Sequence, residues 1–498
     1  MTNKYFLFFY FFIFFLISNS GFVYNYNFIY WDDYALYQHD WNVLLKMFSQ
    51  AAGFGGYYIA SLHYVLSNLF NGVMSYRLIS LVLCFFTSLF VYKISLNSGV
   101  FSKVGSFWLS LVFICFPFLS SKITLIVFPY IFSLFLFYFA FYLLSIDLHK
   151  KILTRVVILF LFLISFMFNS LLVFFSIVLL YIYLYNKFYK DTFFGLFAFL
   201  RSYADFFLLP IFFFALKLFF MKSNGLYDGY NSVSIQDFSY YYYHFSNSIE
   251  LFFYGLKGLF LFEYVLWISI FLVFFQFFLI RKNTFKLNIF YKYFLYVLFS
   301  FALIFLAFFP YASVGLSPSP RSVDDRHYFL MPLAFSFFMV SVVNFFYIYK
   351  PFRSIVFLLF LSLFVFENAR SSYVYYIDGI YQESIILDMK SNDLINENDS
   401  FIVGYKKENY FAYKRYINPY EWNGMLRNVY PDADKAMALS LSELNNSYWL
   451  KNLQYNANNY IFSEPMNVCL EMDDISFFDF LEYLIDYDQR TFARFTEC

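Results

Sequence analysis

"RVVILFLFLISFMFNSLLVFFSIVLLYIYLY", residues 155–185, is the stretch on which the fold turns. It holds 31 residues and one charge, Arg155, at its start. As a single helix it would run about 46 Å at 1.5 Å per residue. A bilayer's hydrocarbon core is about 30 Å thick and takes roughly 20 apolar residues. The stretch is therefore long for one crossing and short for two. Asn169-Ser170 interrupts its middle, and a tight turn there gives two short or tilted helices. The choice reverses the side on which every later loop emerges.

The rest of the chain reads the same way. Of 498 residues, 61% are hydrophobic, 28% aromatic and only 13% charged. A soluble protein carries about a quarter charged residues, so most of this chain belongs in lipid. Further candidate spans are 5–22, 76–96, 104–120, 123–146, 203–221, 258–280, 289–309, 327–349 and 354–366. Lys and Arg collect on the cytoplasmic side of membrane proteins. With residue 4 inside and 155–185 a helix pair, the inner loops gain Lys150, Lys151, Arg155, Lys187, Lys190, Arg281, Lys282 and Lys286. A single helix would turn "RKNTFK" outward. The charge pattern favours about eleven spans, a cytoplasmic N-terminus and an external C-terminus in a cell membrane. The basic start, apolar run and "SNSG" also fit a signal peptide, but the small Ala pair of a cleavage site is missing, which favours an uncleaved anchor.

The expected fold class is mainly α: a polytopic membrane helix bundle, residues 1–368, followed by a small extracytoplasmic α+β domain, residues 369–498. From Arg370 onward there are 20 acidic and 11 basic residues. "DKAMALSLSELNN" and "ISFFDFLEYLIDY" read as helical, and "SFIVGYK" as a strand. Cys469 and Cys498 lie in this tail and can pair on an oxidising membrane face. The net charge of +1 gives no electrostatic case for nucleic acid.

Polar residues gather where the chain is expected outside. "FIYWDDYALYQHDW", residues 28–41, follows the first apolar segment directly. An acid there stays hydrated, whereas one at mid-bilayer costs about 2.5–3.5 kcal/mol on insertion scales. Asp32 or Asp33 can act as general base on an attacking hydroxyl. Together they could hold a divalent cation, magnesium or manganese, that neutralises a phosphate leaving group. A later loop, "PYASVGLSPSPRSVDDRHYFLMP", residues 310–332, carries Arg321 and Arg326, suited to a phosphate by charge and forked hydrogen bonds. Asp324 and Asp325 are expected to pair with those arginines. Tyr240–Tyr243 reads as an interfacial aromatic belt.

With "YWDDYALYQHDW" after the first span, "GFGGYYIASLHYVLSNLF" leading to "YRLIS", and "RHYFLMPLAF" opening a late span, the chain resembles the GT-C superfamily of polytopic glycosyltransferases. Its nearest likeness is to bacterial serotype-converting, O-antigen modifying glucosyltransferases. The resemblance covers roughly residues 1–366. It implies a polyprenyl-phosphate sugar as donor and a surface polysaccharide or lipid-linked glycan as acceptor. It also implies a donor-synthesising enzyme and a small flippase as partners. It places the catalytic acid at Asp33 or, second to it, Asp32, with the donor phosphate at Arg321 and Arg326. His39, Asp40, Arg77, His327 and Tyr328 are further substrate-binding candidates. Two other readings share this hydropathy: a flippase or transporter of lipid-linked oligosaccharide, and a polysaccharide polymerase or ligase. Transporters usually show internal repeats and charges within spans; no clear repeat is visible here.

Overall fold

The structure, a computed structural model, describes residues 4–25, 27–36, 40–70, 72–168, 170–189, 196–224, 237–259, 287–345, 350–406, 411, 415–431, 435–446, 464–485 and 491–498. These residues are mainly helical, with one small sheet. Four of their helices are long and apolar enough to cross a membrane: Gly72–Asn97, Leu125–Ser145, Tyr291–Ala312 and Arg353–Ser391. Shorter apolar helices accompany them, among them Phe8–Ser18, Lys103–Ile114 and Met331–Phe345. Helices suit such sequences because each backbone N–H finds its partner within the segment, which hydrocarbon demands. The expected span 258–280 lies almost wholly outside the described residues. Two other expected spans are shorter as helices. Pro117 follows the helix Lys103–Ile114, and the chain then forms a tight turn at Ser120–Ile123. The turn Val323–Tyr328 precedes the helix Met331–Phe345, whose second residue is Pro332.

The stretch 155–185 forms two helices, Ile152–Ser165 and Ser170–Tyr189. Aromatic rings hold the pair together. Phe175 meets Phe162 edge-on at 4.9 Å and Phe166 at 5.3 Å, the arrangement that ring quadrupoles prefer. At the start of the first helix, Arg155 donates to both carboxylate oxygens of Asp205, each at 2.6 Å.

The helix Lys350–Ser391 runs 42 residues without a break, so the domain boundary expected at 368–369 falls inside it. Its first half packs into the large aromatic core of the membrane module, where Phe357 stacks on Trp108 at 4.8 Å. Its second half supplies Tyr381, Ile385 and Met389 to a separate core. That core belongs to a four-stranded sheet of order β2-β1-β3-β4, with β1 Ser400–Tyr405, β2 Ala436–Ala438, β3 Met466–Met472 and β4 Ala493–Glu497. β1 pairs in parallel with β2 and β3, and β4 is antiparallel to β3. The helix Pro419–Val429 lies in the crossover from β1 to β2. Cys469 on β3 and Cys498 just past β4 form a disulfide, Cα atoms 5.0 Å apart. Gly404 on β1 leaves room for it, since a Cβ there would sit 3.2 Å from Cys469 Sγ.

One helical expectation in this domain is corrected. "DKAMALSLSELNN" divides into the strand Ala436–Ala438 and a short helix, Leu441–Asn446. All three strand residues are buried, and the Asn423 side chain bonds both the N–H (3.0 Å) and the carbonyl (2.8 Å) of Met437. Sheet pairing on one side and an amide on the other satisfy this backbone, which overrides a helical apolar spacing.

Candidate functional site

The acidic cluster is a tight turn, Trp31–Ala35, straddling the two cores: Tyr30 and Trp31 pack into the membrane core, Tyr34 into that of the C-terminal domain. Trp31 takes a positive φ of 50°, a conformation that costs a non-glycine residue of order 1 kcal/mol or more and persists only when its surroundings hold it. They do. The indole is buried, the Tyr375 ring lies 5.3 Å away, and the Arg415 guanidinium sits over it at 5.3 Å. From the other side Gly424 presses so close that a Cβ would fall 2.6 Å from that of Tyr34.

The two neighbouring aspartates face different surroundings. Asp33 is fully buried. Its Oδ1 accepts the N–H of Ile126 at 2.9 Å and its Oδ2 accepts that of Tyr30 at 3.3 Å. It thereby ties the turn to the start of the 125–145 segment. Burial raises its carboxyl from an ordinary 3.8 to about 7, against the lowering effect of those N–H groups and of Arg77. Asp32 is a third exposed at its side chain. Its Oδ2 lies 3.4 Å from Arg326 Nη1, and its Oδ1 accepts the Tyr420 hydroxyl at 2.6 Å.

Arg326 thus comes to the acid, held by its neighbour. Asp325 is buried and accepts from the backbone N–H of Ser120 (2.8 Å), that of Ser121 (3.0 Å) and the Ser120 hydroxyl. Burial raises its carboxyl to about 6 despite these donors. The expected pairing of Asp324 and Asp325 with the arginines is replaced: Asp325 holds the serines, and Asp324 is 4.0 Å from His327 Nδ1. Burial, with Arg326 nearby, depresses His327 to about 3, so its ring is neutral; it lies tilted beside the Tyr311 ring, 5.0 Å between centres. Arg321 turns elsewhere. Its Nε donates to Glu367 on the long helix at 2.6 Å, and Glu367 is 3% exposed.

The remaining expected residues divide. Tyr328 is fully buried among Phe116, Phe118, Phe252 and Phe308, and donates its hydroxyl to the Pro318 carbonyl at 3.0 Å. It has no surface to offer a substrate. Arg77 is buried, donates to the Phe28 carbonyl and lies 5.3 Å from the Tyr30 ring centre. Asp40 is exposed at the start of the helix Trp41–Ala52, and His39 lies outside the described residues.

Sequence reasoning passed over Tyr420 and the pair that sets it. Arg415 Nη1 lies 2.8 Å from each oxygen of Glu421, which is buried and also accepts the Asn418 N–H at 3.1 Å. Asn418 and Glu421 form the capping box of the helix that carries Tyr420. Burial alone would lower Arg415, but Glu421 and Asp378 outweigh it and keep the guanidinium charged. Burial, then Asp32, raises the Tyr420 hydroxyl, which stays protonated and available as a donor. "NPYE" is legible as a helix start; its meeting with a residue 388 positions earlier is not.

These donor sets do not fit a shared divalent cation. Asp33 spends both oxygens on backbone N–H groups and Asp32 faces a guanidinium and a phenol, whereas a hard cation needs free oxygens converging on one point. Among the described residues no three His, Cys, Asp or Glu side chains gather as a metal site. No family model, curated protein or solved structure matches the chain.

Proposed function

We propose that this protein is a GT-C-type glycosyltransferase of the cell membrane. It moves a sugar from a polyprenyl-phosphate donor to a surface polysaccharide or lipid-linked glycan on the extracytoplasmic face. Eleven spans, a cytoplasmic N-terminus and an extracytoplasmic C-terminal domain go with this reading. The observation that carries it is the pair Asp32–Arg326: a carboxylate one third exposed beside a guanidinium, on the loop that follows the first apolar helix.

Asp32, the accessible acid, is the general base. It takes the proton of the acceptor hydroxyl as that oxygen bonds to the anomeric carbon. The bond from that carbon to the phosphate oxygen breaks, and the electrons leave with the lipid phosphate. Arg326 faces the growing negative charge on that phosphate, where a positioned cation lowers the barrier. Asp33 holds the turn and Arg321 braces the late loop against Glu367. Inversion at the anomeric carbon follows from a single displacement. A donor-synthesising enzyme on the other leaflet and a small flippase would supply the substrate.

The test is mass analysis of surface glycans from cells with the protein, without it and with Asp32→Asn. A mass step of one sugar unit, lost in both the null and the variant, supports the transferase. Loss of whole repeats instead would identify a flippase of lipid-linked oligosaccharide, and shortened chains a polymerase or ligase.

A further inference from the structure

The helix Lys350–Ser391 is too long for a membrane: at 1.5 Å per residue it extends about 63 Å, twice a hydrocarbon core. Its apolar part begins after Arg353. Roughly 20 residues cross about 30 Å, so the helix leaves the bilayer near Tyr373. Arg370, half exposed and one turn earlier, suits this boundary, since a long cationic side chain reaches headgroups from just inside.

A second helix, Phe477–Ile485 of the C-terminal domain, packs at this level. Phe480 touches Tyr373 and Tyr376, at 4.8 and 5.2 Å between ring centres. Tyr483 touches Tyr376 and donates its hydroxyl to Glu383 at 2.8 Å. As the short helix advances from 480 to 483, its contacts advance from 373 towards 383. The two helices therefore run in the same direction, and the first turn of the short one points back towards the bilayer. That turn presents Phe477 and Phe478, 58% and 79% exposed. They stand at or below the level of Tyr373. Two adjacent exposed phenylalanines would be a liability in water, and lipid would take up their apolar surface.

We propose that Phe477 and Phe478 insert into the bilayer interface and seat the C-terminal domain on the membrane surface. The lipids they meet are zwitterionic: Asp473, Asp474, Asp479 and Glu482 surround the turn in sequence, and anionic headgroups would repel them. The seat lies on the domain that delivers Tyr420 to Asp32 and does not depend on sugar transfer.

The experiment uses the full chain in phosphatidylcholine nanodiscs, made with ordinary or acyl-brominated lipid, carrying Phe478→Trp. A parallel variant, Leu441→Trp, places the reporter on an exposed residue of the short helix beside β2. Emission of the unsubstituted protein is subtracted from each. At 478 the added tryptophan is expected to emit further to the blue, to lose most of its emission to brominated lipid and to resist aqueous iodide. At 441 it is expected to do the reverse. Iodide quenching at 478 equal to that at 441 would overturn the proposal, and so would protection from both quenchers, which would mean that protein covers the site.

Discussion

The Tyr420 hydroxyl donates a 2.6 Å hydrogen bond to Asp32 Oδ1 and so joins the C-terminal domain to the acid that follows the first apolar helix. The domain is therefore part of the candidate site. Arg415, Glu421 and Asn418 set the helix that carries this phenol, and the same Arg415 covers Trp31, the residue next to the acid. One cation thus organises both partners of the bond.

Asp32→Asn is expected to lower glycan transfer by about 10²–10⁴-fold, the usual worth of a positioned general base, at unchanged protein level. The measurement is single-sugar addition per unit of membrane protein. Wild-type transfer in this variant would remove Asp32 from the chemistry.

Tyr420→Phe deletes a donor to the charged carboxylate, worth about 1.5–3 kcal/mol. Without it the carboxylate loses a positioning contact, and transfer per unit of membrane protein is expected to fall about tenfold or more. A purely structural tyrosine would lower the amount of protein and leave transfer per protein unchanged.

The two arginines are expected to separate. Arg321→Met leaves the buried Glu367 with Arg370, 3.6 Å away, as its one remaining cationic partner among the described residues, so stability should fall by up to about 3 kcal/mol. Arg326→Met should change stability by less than about 1 kcal/mol and raise the KM for the lipid donor. Thermal unfolding in detergent and donor titrations read the two effects; a large loss of stability for Arg326→Met would contradict this assignment.

Asp33 gives a pH signature. Its folded carboxyl titrates near 7, against an ordinary 3.8. Between these values the folded protein keeps a proton that the unfolded chain has released. The contribution to stability is complete below about pH 4 and disappears as pH rises through about 7. The unfolding midpoint should fall across this window, and Asp33→Asn should flatten the slope. The variant should also start lower, because an amide NH2 meets one of the two N–H groups that the carboxylate accepts. A slope that persists in the variant would assign the titration elsewhere.

The Cys469–Cys498 bridge closes a sequence separation of 29 residues, a loop whose linkage is worth about 3.5 kcal/mol. On an extracytoplasmic domain it should form without added oxidant, and alkaline phosphatase fused after Cys498 should be active. Free thiols at both positions, with an inactive fusion, would place the domain on the cytoplasmic side and reverse the span parity.

How much of this was legible beforehand depends on the range of the interaction. Apolar run length and the absence of charge announced the helices, because backbone satisfaction in lipid is a local demand. Asn169-Ser170 announced the break in the longest run for the same reason. The acidic turn, its place after the first helix and the basic late loop were also written in order along the chain. The long helix Lys350–Ser391 exceeds the apolar run 354–366, since its outer half is polar and is kept helical by packing against the sheet domain. Tertiary structure alone decided which of two adjacent aspartates is accessible and which arginine meets it. It also decided that a tyrosine 388 residues later shares the acid. Those outcomes depend on desolvation and on side chains brought together by closure of the two cores, and neither has a counterpart in local spacing.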